Sequence, residues 1–288
     1  TPCFKIYHKI FAMKANQKIL ILLACLFIGN VLAISQEVQT HMLKPNKGRF
    51  YIYWGWNKEV YTKSDIHFKG QSYDFTLKDV VADDRQSNFS PRIYLNPSNL
   101  TIPQYNFRLG YFINESWSIS LGADHMKYVA RPNQIVKIAG YIHETNSGYD
   151  GEYNNNSVIL GKGFLEFEHT DGLNYLNVDV RKQFDLLKWK KISLLANTGL
   201  GLGVLVPRTD ATLLNFERHD KFHLAGFGTN FLAALQVKIG NYFFIQSEYK
   251  LGYINMNDIR TTYSTNDSAN QYFFFHQYNI LFGSYFGF

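Results

Sequence analysis

From residue 49 onward the chain alternates apolar and polar side chains with a period of two. Such alternation predicts strands with one face toward an apolar medium and the other toward polar surroundings. In 49–57, Phe50, Ile52, Trp54 and Trp56 share one face, and Arg49, Tyr51, Tyr53, Gly55 and Asn57 share the other. The same reading places further strands at 104–113, 117–124, 174–184, 192–204, 231–239, 243–253 and 272–288. Their polar faces carry Arg108, Asp124, Asp179, Arg181, Lys238, Glu248 and Lys250.

The connections between these strands alternate in length. Short links are expected at 114–116, 185–190 and 240–241, and long ones at about 58–103, 127–172, 206–226 and 257–271. This pattern belongs to transmembrane barrels of even strand count, with short periplasmic turns and long extracellular loops. The expected fold is therefore all-β: a transmembrane antiparallel up-and-down β-barrel of eight strands, closed by pairing of the first strand with the last. A soluble sandwich or lipocalin-like barrel also alternates. It has no reason to expose Phe and Trp at this density. Pieces within the first two long loops, at 65–68, 72–77 and 134–142, also alternate, so their hairpins are expected to extend above the membrane. The stretch 145–157 is rich in Asn, Gly and Tyr.

Composition supports the same class. Aromatic residues make up 17% of the chain, with 24 Phe and 20 Tyr, yet the mean hydropathy is slightly negative at −0.21. A lipid face with aromatic girdles around a polar lumen produces that combination. The N-terminus changes the charge picture. Lys14 and Lys18 precede an apolar run from Ile19 to Ile28, followed by Ala33 and Ser35, which is the layout of a secretory signal peptide cut before Gln36. Leu22-Leu23-Ala24-Cys25 offers a lipoprotein box as the competing reading, although Leu26-Phe27-Ile28 continue the apolar run past it. Residues 1–35, comprising an upstream extension and this signal, carry four lysines and no acidic residue. Without them the 29 basic residues fall to 25, against 23 acidic ones. A nucleic-acid partner then has no electrostatic basis. Cys3 and Cys25 also leave, so no disulfide or thiolate metal site is expected. The remaining chain divides into a periplasmic N-terminal segment, 36–47, and the barrel, 48–288.

The last residues, Gly283-Ser284-Tyr285-Phe286-Gly287-Phe288, resemble the C-terminal assembly signal of outer-membrane proteins, with Gly283, Phe286 and Phe288 as its marks. Leu281 departs from it, because a polar residue is usual there. In pattern the chain resembles the small OmpA/OmpX/OmpW-like barrels of the bacterial outer membrane, and its Asn/Tyr/Phe richness resembles members from the Bacteroidota. The resemblance implies outer-membrane lipid, lipopolysaccharide and the assembly machinery as partners, and an extracellular protein or glycan as a ligand of the loops.

An eight-stranded barrel encloses only its own side chains or one small ligand. The inward set Arg49, Arg108, Asp124, Asp179, Arg181, Lys238, Glu248 and Lys250 is therefore expected to form an internal charge network that plugs the lumen, a narrow solute channel being the alternative. Removing Asp179 should cost more than removing Asp267, taken as a solvated residue of the last loop. One constellation hints at chemistry: Glu166, Glu168, His169 and Asp171 near the entry of the fourth strand, with His125 at the top of the third. It slightly resembles outer-membrane lipid A deacylases, in which a histidine shortly precedes a serine nucleophile. Asp171 stands where that serine would be, and without an attacking hydroxyl a Ser/His/acid mechanism has no nucleophile. The expectation is a non-enzymatic barrel with a structural or surface-binding role and no cofactor, a hydrolase using His169, Glu168, Asp171 and His125 being the alternative. The same carboxylates and histidines also suit a divalent cation or a bridge to lipopolysaccharide.

Overall fold

The computed structural model describes residues 45–88, 90–94, 103–216, 218–219 and 221–287. The signal-peptide reading, the segment 36–44 and Phe288 lie outside the described residues. Eight strands close a ring: β1 (Phe50–Tyr61), β5 (Tyr105–Phe112), β6 (Trp117–Ala130), β9 (Leu165–Trp189), β10 (Ile192–Leu205), β12 (Gly226–Ile239), β13 (Phe243–Arg260) and β14 (Ser268–Phe286). All neighbours are antiparallel, and β1 pairs with β14 from Phe50↔Phe286 to Tyr61↔Phe275 to complete the circuit. The fold is an all-β, up-and-down barrel of eight strands.

Three hairpin turns mark one end. Asn114 Oδ1 accepts the backbone N–H groups of Ser116 and Trp117, each at 2.9 Å, replacing the ladder bonds that the turn lacks. Between Trp189 and Ile192 only two residues turn the chain, and Lys190 takes φ 52° to do so. Outward from the ring, Phe50, Ile52, Phe107, Leu109, Ile119, Leu121, Val178, Val180, Leu200, Leu202, Leu235, Val237, Ile245, Ile280 and Phe282 are exposed. A continuous apolar belt of this kind far exceeds the patches a water-soluble surface carries. It is satisfied in lipid, where closed strand pairing leaves no backbone group unbonded. Belt, even strand count and unequal ends together are those of a bacterial outer-membrane barrel.

At the opposite end the long connections are not solvated loops. The first carries β2 (Ser64–Lys69), β3 (Tyr73–Val80) and β4 (Ala82–Asp83), followed by one helical turn, Pro91–Tyr94. The second carries β7 (Ile135–Ile142) and β8 (Gly151–Ile159), and the third β11 (Asp210–Leu213). A ribbon β2-β3-β7-β8 continues from the upper part of β14. Phe68 of this ribbon meets Phe167 of β9 edge-on at 5.8 Å, and Phe75 lies 5.9 Å from Phe164, so the ribbon arches over the mouth. Beneath it Ile66, Phe68, Phe75, Leu77, Ile138, Phe167, Leu213, Ile254 and Phe273 form one buried apolar core. The expectation of a polar interior therefore holds for only part of the axis. A span needs about 9–11 residues, whereas β9 runs for 25 and β14 for 19. The excess leaves the membrane and packs as a water-soluble protein does.

Candidate functional site

The lumen at belt level is built from the polar halves of the alternating strands. Arg108, Asp124, Asp179, Arg181, Glu248 and Lys250 are each at most 4% exposed. Asp179 sits at the centre: its Oδ2 meets Arg108 Nη1 and Arg181 Nη2, both at 2.8 Å. Arg181 Nη1 reaches Glu248 at 2.8 Å, and Lys250 pairs with Asp124. The remaining donors of Arg108 go to the Tyr53 hydroxyl at 2.9 Å, Ser120 at 3.1 Å and Asn177 at 2.6 Å. Three cations thus balance three carboxylates, with neutral acceptors taking the spare N–H groups, as buried charges require. Glycines make the room. A Cβ at Gly201 would lie 2.0 Å from Asp179 Oδ1, and one at Gly122 would lie 2.4 Å from Arg108 Nη2.

Arg49 and Lys238, grouped with this network on alternation alone, stand apart from it. Both are buried, but they lie at the short-turn end beside Tyr285 and form no ion pair among the described residues. Alternation missed Glu59, because the strand was ended at Asn57. Its 2% exposed carboxylate accepts from Gln277 at 2.9 Å and from Gln104. The signal was present in the continued alternation of Asn57, Glu59 and Tyr61 against Lys58 and Val60. Below the charges a second small cluster, Tyr51, Tyr53, Phe112, Phe244, Leu281 and Tyr285, fills the barrel toward its short turns.

The His169 constellation is not brought together. Strand alternation turns His169 inward, fully buried, while Glu166 and Glu168 face out; Glu168 pairs instead with Arg85 at 2.8 Å. His125 lies on the outer side of β6, stacked on Tyr105 at 5.1 Å and bonded to Asn174 at 2.8 Å. The two histidines thus occupy opposite faces of the wall and cannot share a ligand. The side chain of Asp171 lies outside the described residues. Inside the core, His169 Nδ1 meets the Thr209 hydroxyl at 2.9 Å, its ring contacts Tyr128 and Phe167, and Nε2 has no hydrogen-bond partner. Burial alone pushes this imidazole down to about 3, so it is neutral. Among the described residues no group of three or more His, Cys, Asp or Glu is placed to hold a metal ion.

At the outer tip, Tyr73, Phe216, Thr262, Tyr263, Ser264 and Asp267 line a cavity of about 260 Å³. Asp267 is not the solvated loop residue its position suggested: it is 6% exposed and accepts from the Thr262 hydroxyl at 2.7 Å. The assembly-signal positions Gly283 and Phe286 lie near the C-terminal end of β14. Phe286 stands in the lipid belt, stacked on Phe50 at 5.8 Å.

No family model matches the chain, and no curated protein matches it. Among solved structures it is similar to the outer membrane protein OprG from Pseudomonas aeruginosa, at 11% identity and a TM-score of 0.35, over 85% of this chain and 98% of that one. It is also similar to Ail, the attachment invasion locus protein of Yersinia pestis, crystallised with a heparin analogue, at 10% identity and a TM-score of 0.28, over 83% and 99%. A third is the outer membrane protease OmpT from Escherichia coli, at 8% identity and a TM-score of 0.28, over 87% and 99%. Such distant likenesses carry nothing about activity.

Proposed function

We propose that this protein is a non-conducting, non-enzymatic outer-membrane barrel that stabilises the envelope and binds an extracellular protein, glycan or lipopolysaccharide through its outer cap. The observation that carries this reading is that the interior is filled in series along its axis. An aromatic cluster, a balanced charge network and an apolar core lie one above another. A solute would have to break the buried Arg108–Asp179–Arg181 contacts and then cross a layer of Phe and Leu. The built ribbon β2-β3-β7-β8 and the cavity near Asp267 support a binding role, because ordered surface structure above a plugged lumen has a partner as its natural use.

The histidine geometry supports a structural role for His169 over a catalytic one. The hydroxyl at hydrogen-bond reach is a threonine's, the ring faces the sealed core, and the nearby carboxylate Glu168 sits on the other side of the strand. A general base must reach both nucleophile and substrate. Recording purified barrel in a planar bilayer tests the reading: brief or absent openings are expected, and large, stable single-channel currents would move a channel into first place. A lipid A acyl-chain profile that changes when the protein is deleted would instead favour the hydrolase.

A further inference from the structure

The short-turn mouth of the barrel holds two buried cations with no counter-charge. Arg49 is 1% exposed and Lys238 3%. Arg49 Nη2 donates to the carbonyl of Asn241 at 2.6 Å, while its Nε and Nη1 are buried without a hydrogen-bond partner. The guanidinium carbon lies 5.2 Å from the Tyr285 ring centroid, and Lys238 Nζ lies 4.9 Å from the same centroid. In the rest of the lumen the fully buried cations Arg108, Arg181 and Lys250 each meet a carboxylate. The local acids here are already engaged: Asp185 by Lys188 at 2.8 Å, and Glu115 by the backbone N–H of Asn46 at 2.8 Å. Lys238 lines a cavity of about 230 Å³ together with Lys188, Gln183, Ser116 and Asn46, which add further donors.

Two like charges held beside one aromatic face repel each other, and the ring's quadrupole offsets only part of the cost of burying them. Unspent guanidinium N–H groups, a lysine on the wall and amide and hydroxyl donors around it form a set matched to a tetrahedral oxyanion. We infer that the mouth is a phosphate-group site, filled either by free phosphate from the periplasm or by the headgroup of an inner-leaflet phospholipid. The mouth opens at the level where Tyr242 and Trp189 are exposed beside the turns, so both sources reach it. Bound there, a phosphate would brace β1 against the β12–β13 turn at the closing seam of the barrel.

The test uses the refolded barrel in uncharged maltoside micelles, following its thermal midpoint. One arm adds sodium phosphate against sodium chloride at matched ionic strength; the other adds dihexanoylphosphatidylglycerol against an uncharged detergent of equal chain length. A rise in midpoint with phosphate identifies the free ion, and a rise with the lipid alone identifies the headgroup. In Lys238→Gln and Arg49→Gln the phosphate response should weaken about tenfold or more in half-saturating concentration, tenfold being the effect of one lost strong contact. Their midpoint without phosphate should stay level or rise, since an unpaired buried charge is gone. No response in either arm overturns the site, and so does an equal response in wild type and variants. Should neither variant refold, the wild-type comparison decides alone.

Discussion

Strand β9 passes through two different proteins. Between Tyr175 and Gln183 its inward side chains are Tyr175, Asn177, Asp179, Arg181 and Gln183, and its outward ones include Leu176, Val178 and Val180. Between Leu165 and Leu173 the polarity inverts: Leu165, Phe167 and Leu173 are buried, and Glu166 and Glu168 face out. Strand β6 changes in the same way, from inward Ser118, Ser120 and Asp124 to inward Met126 and Tyr128. Period-two alternation persists throughout, so the backbone does not notice the boundary. What changes is the solvent outside. Where lipid touches the wall, apolar groups go outward and the interior must be polar and fully paired; where water touches it, ordinary burial returns. The lumen is consequently held by electrostatics and the cap by packing, and the two should fail differently.

The lumen should be the more fragile to a single atom change. Asp179→Asn removes the carboxylate shared by Arg108 and Arg181 while keeping the shape, leaving two buried guanidinium groups short of charge. A loss on the order of 3–5 kcal/mol is expected, read as a lower urea midpoint for the whole barrel in micelles. A barrel that tolerates the change within error would mean that water reaches the network freely.

In the cap the equivalent injury is a cavity. Phe68 is fully buried against Phe75 and Phe167, and Phe68→Ala should cost about 3 kcal/mol. The ribbon connects to the ring through a short pairing with β14, so the loss should appear as protease cleavage within 64–142 while the heat-resistant barrel persists. Loss of the barrel together with the ribbon would show that the two regions fold as one unit.

A pH scan separates the regions through His169, which lies in the cap. Its folded-state value, near 3, is below the ordinary histidine value of 6.5. The unfolded chain therefore binds a proton that the native core refuses. Its contribution is present above about pH 6.5 and is lost progressively as pH falls from there toward 3. Between pH 6.5 and 5 the wild type should lose roughly 2 kcal/mol more than His169→Leu, at about 1.4 kcal/mol per unit. The measurement is cap stability by hydrogen exchange or proteolysis at several pH values. Parallel curves for the two proteins would place His169 in contact with water.

How much of this was legible in the sequence follows from the same boundary. The eight ring strands, the closure and the inward position of Asp179 or Lys250 came from alternation, because a two-residue period maps directly onto two faces. Alternation names faces without naming the medium beyond each face. Hence Glu168 and His169, neighbours along the chain, looked like partners until the strand separated them. Asp267 looked solvated because it sits in a loop, and only the ribbon pairing beside it buries it. Arg49 and Lys238 were placed on the correct face, but their height along the axis, which decides whether a carboxylate meets them, depends on strand tilt and register. The apolar core of the cap was the hardest to read, since the pieces that build it are short and dispersed over the first two long connections.

The smallest effect belongs to an ion pair outside both interiors. Asp65 on β2 meets Lys78 on β3 at 2.7 Å, with the two side chains 37% and 44% exposed, and its other oxygen accepts the N–H of Asp79 at 3.0 Å. Asp65→Asn keeps an acceptor for that N–H and removes only the charge. The geometry is as short as that of the Asp179 pairs, so contact distance alone would forecast a similar loss. Solvent argues otherwise: water screens the attraction and two mobile side chains lose entropy in forming it, which leaves about 0.2–1 kcal/mol. That remainder should fade in about 1 M salt, where the screening length falls to about 3 Å, whereas the Asp179→Asn loss should persist because its partners are out of reach of the ions. Measuring both variants at low and high salt puts the comparison on one axis. If the Asp65 change proves as costly as the Asp179 change, burial is not what gives the lumen network its strength.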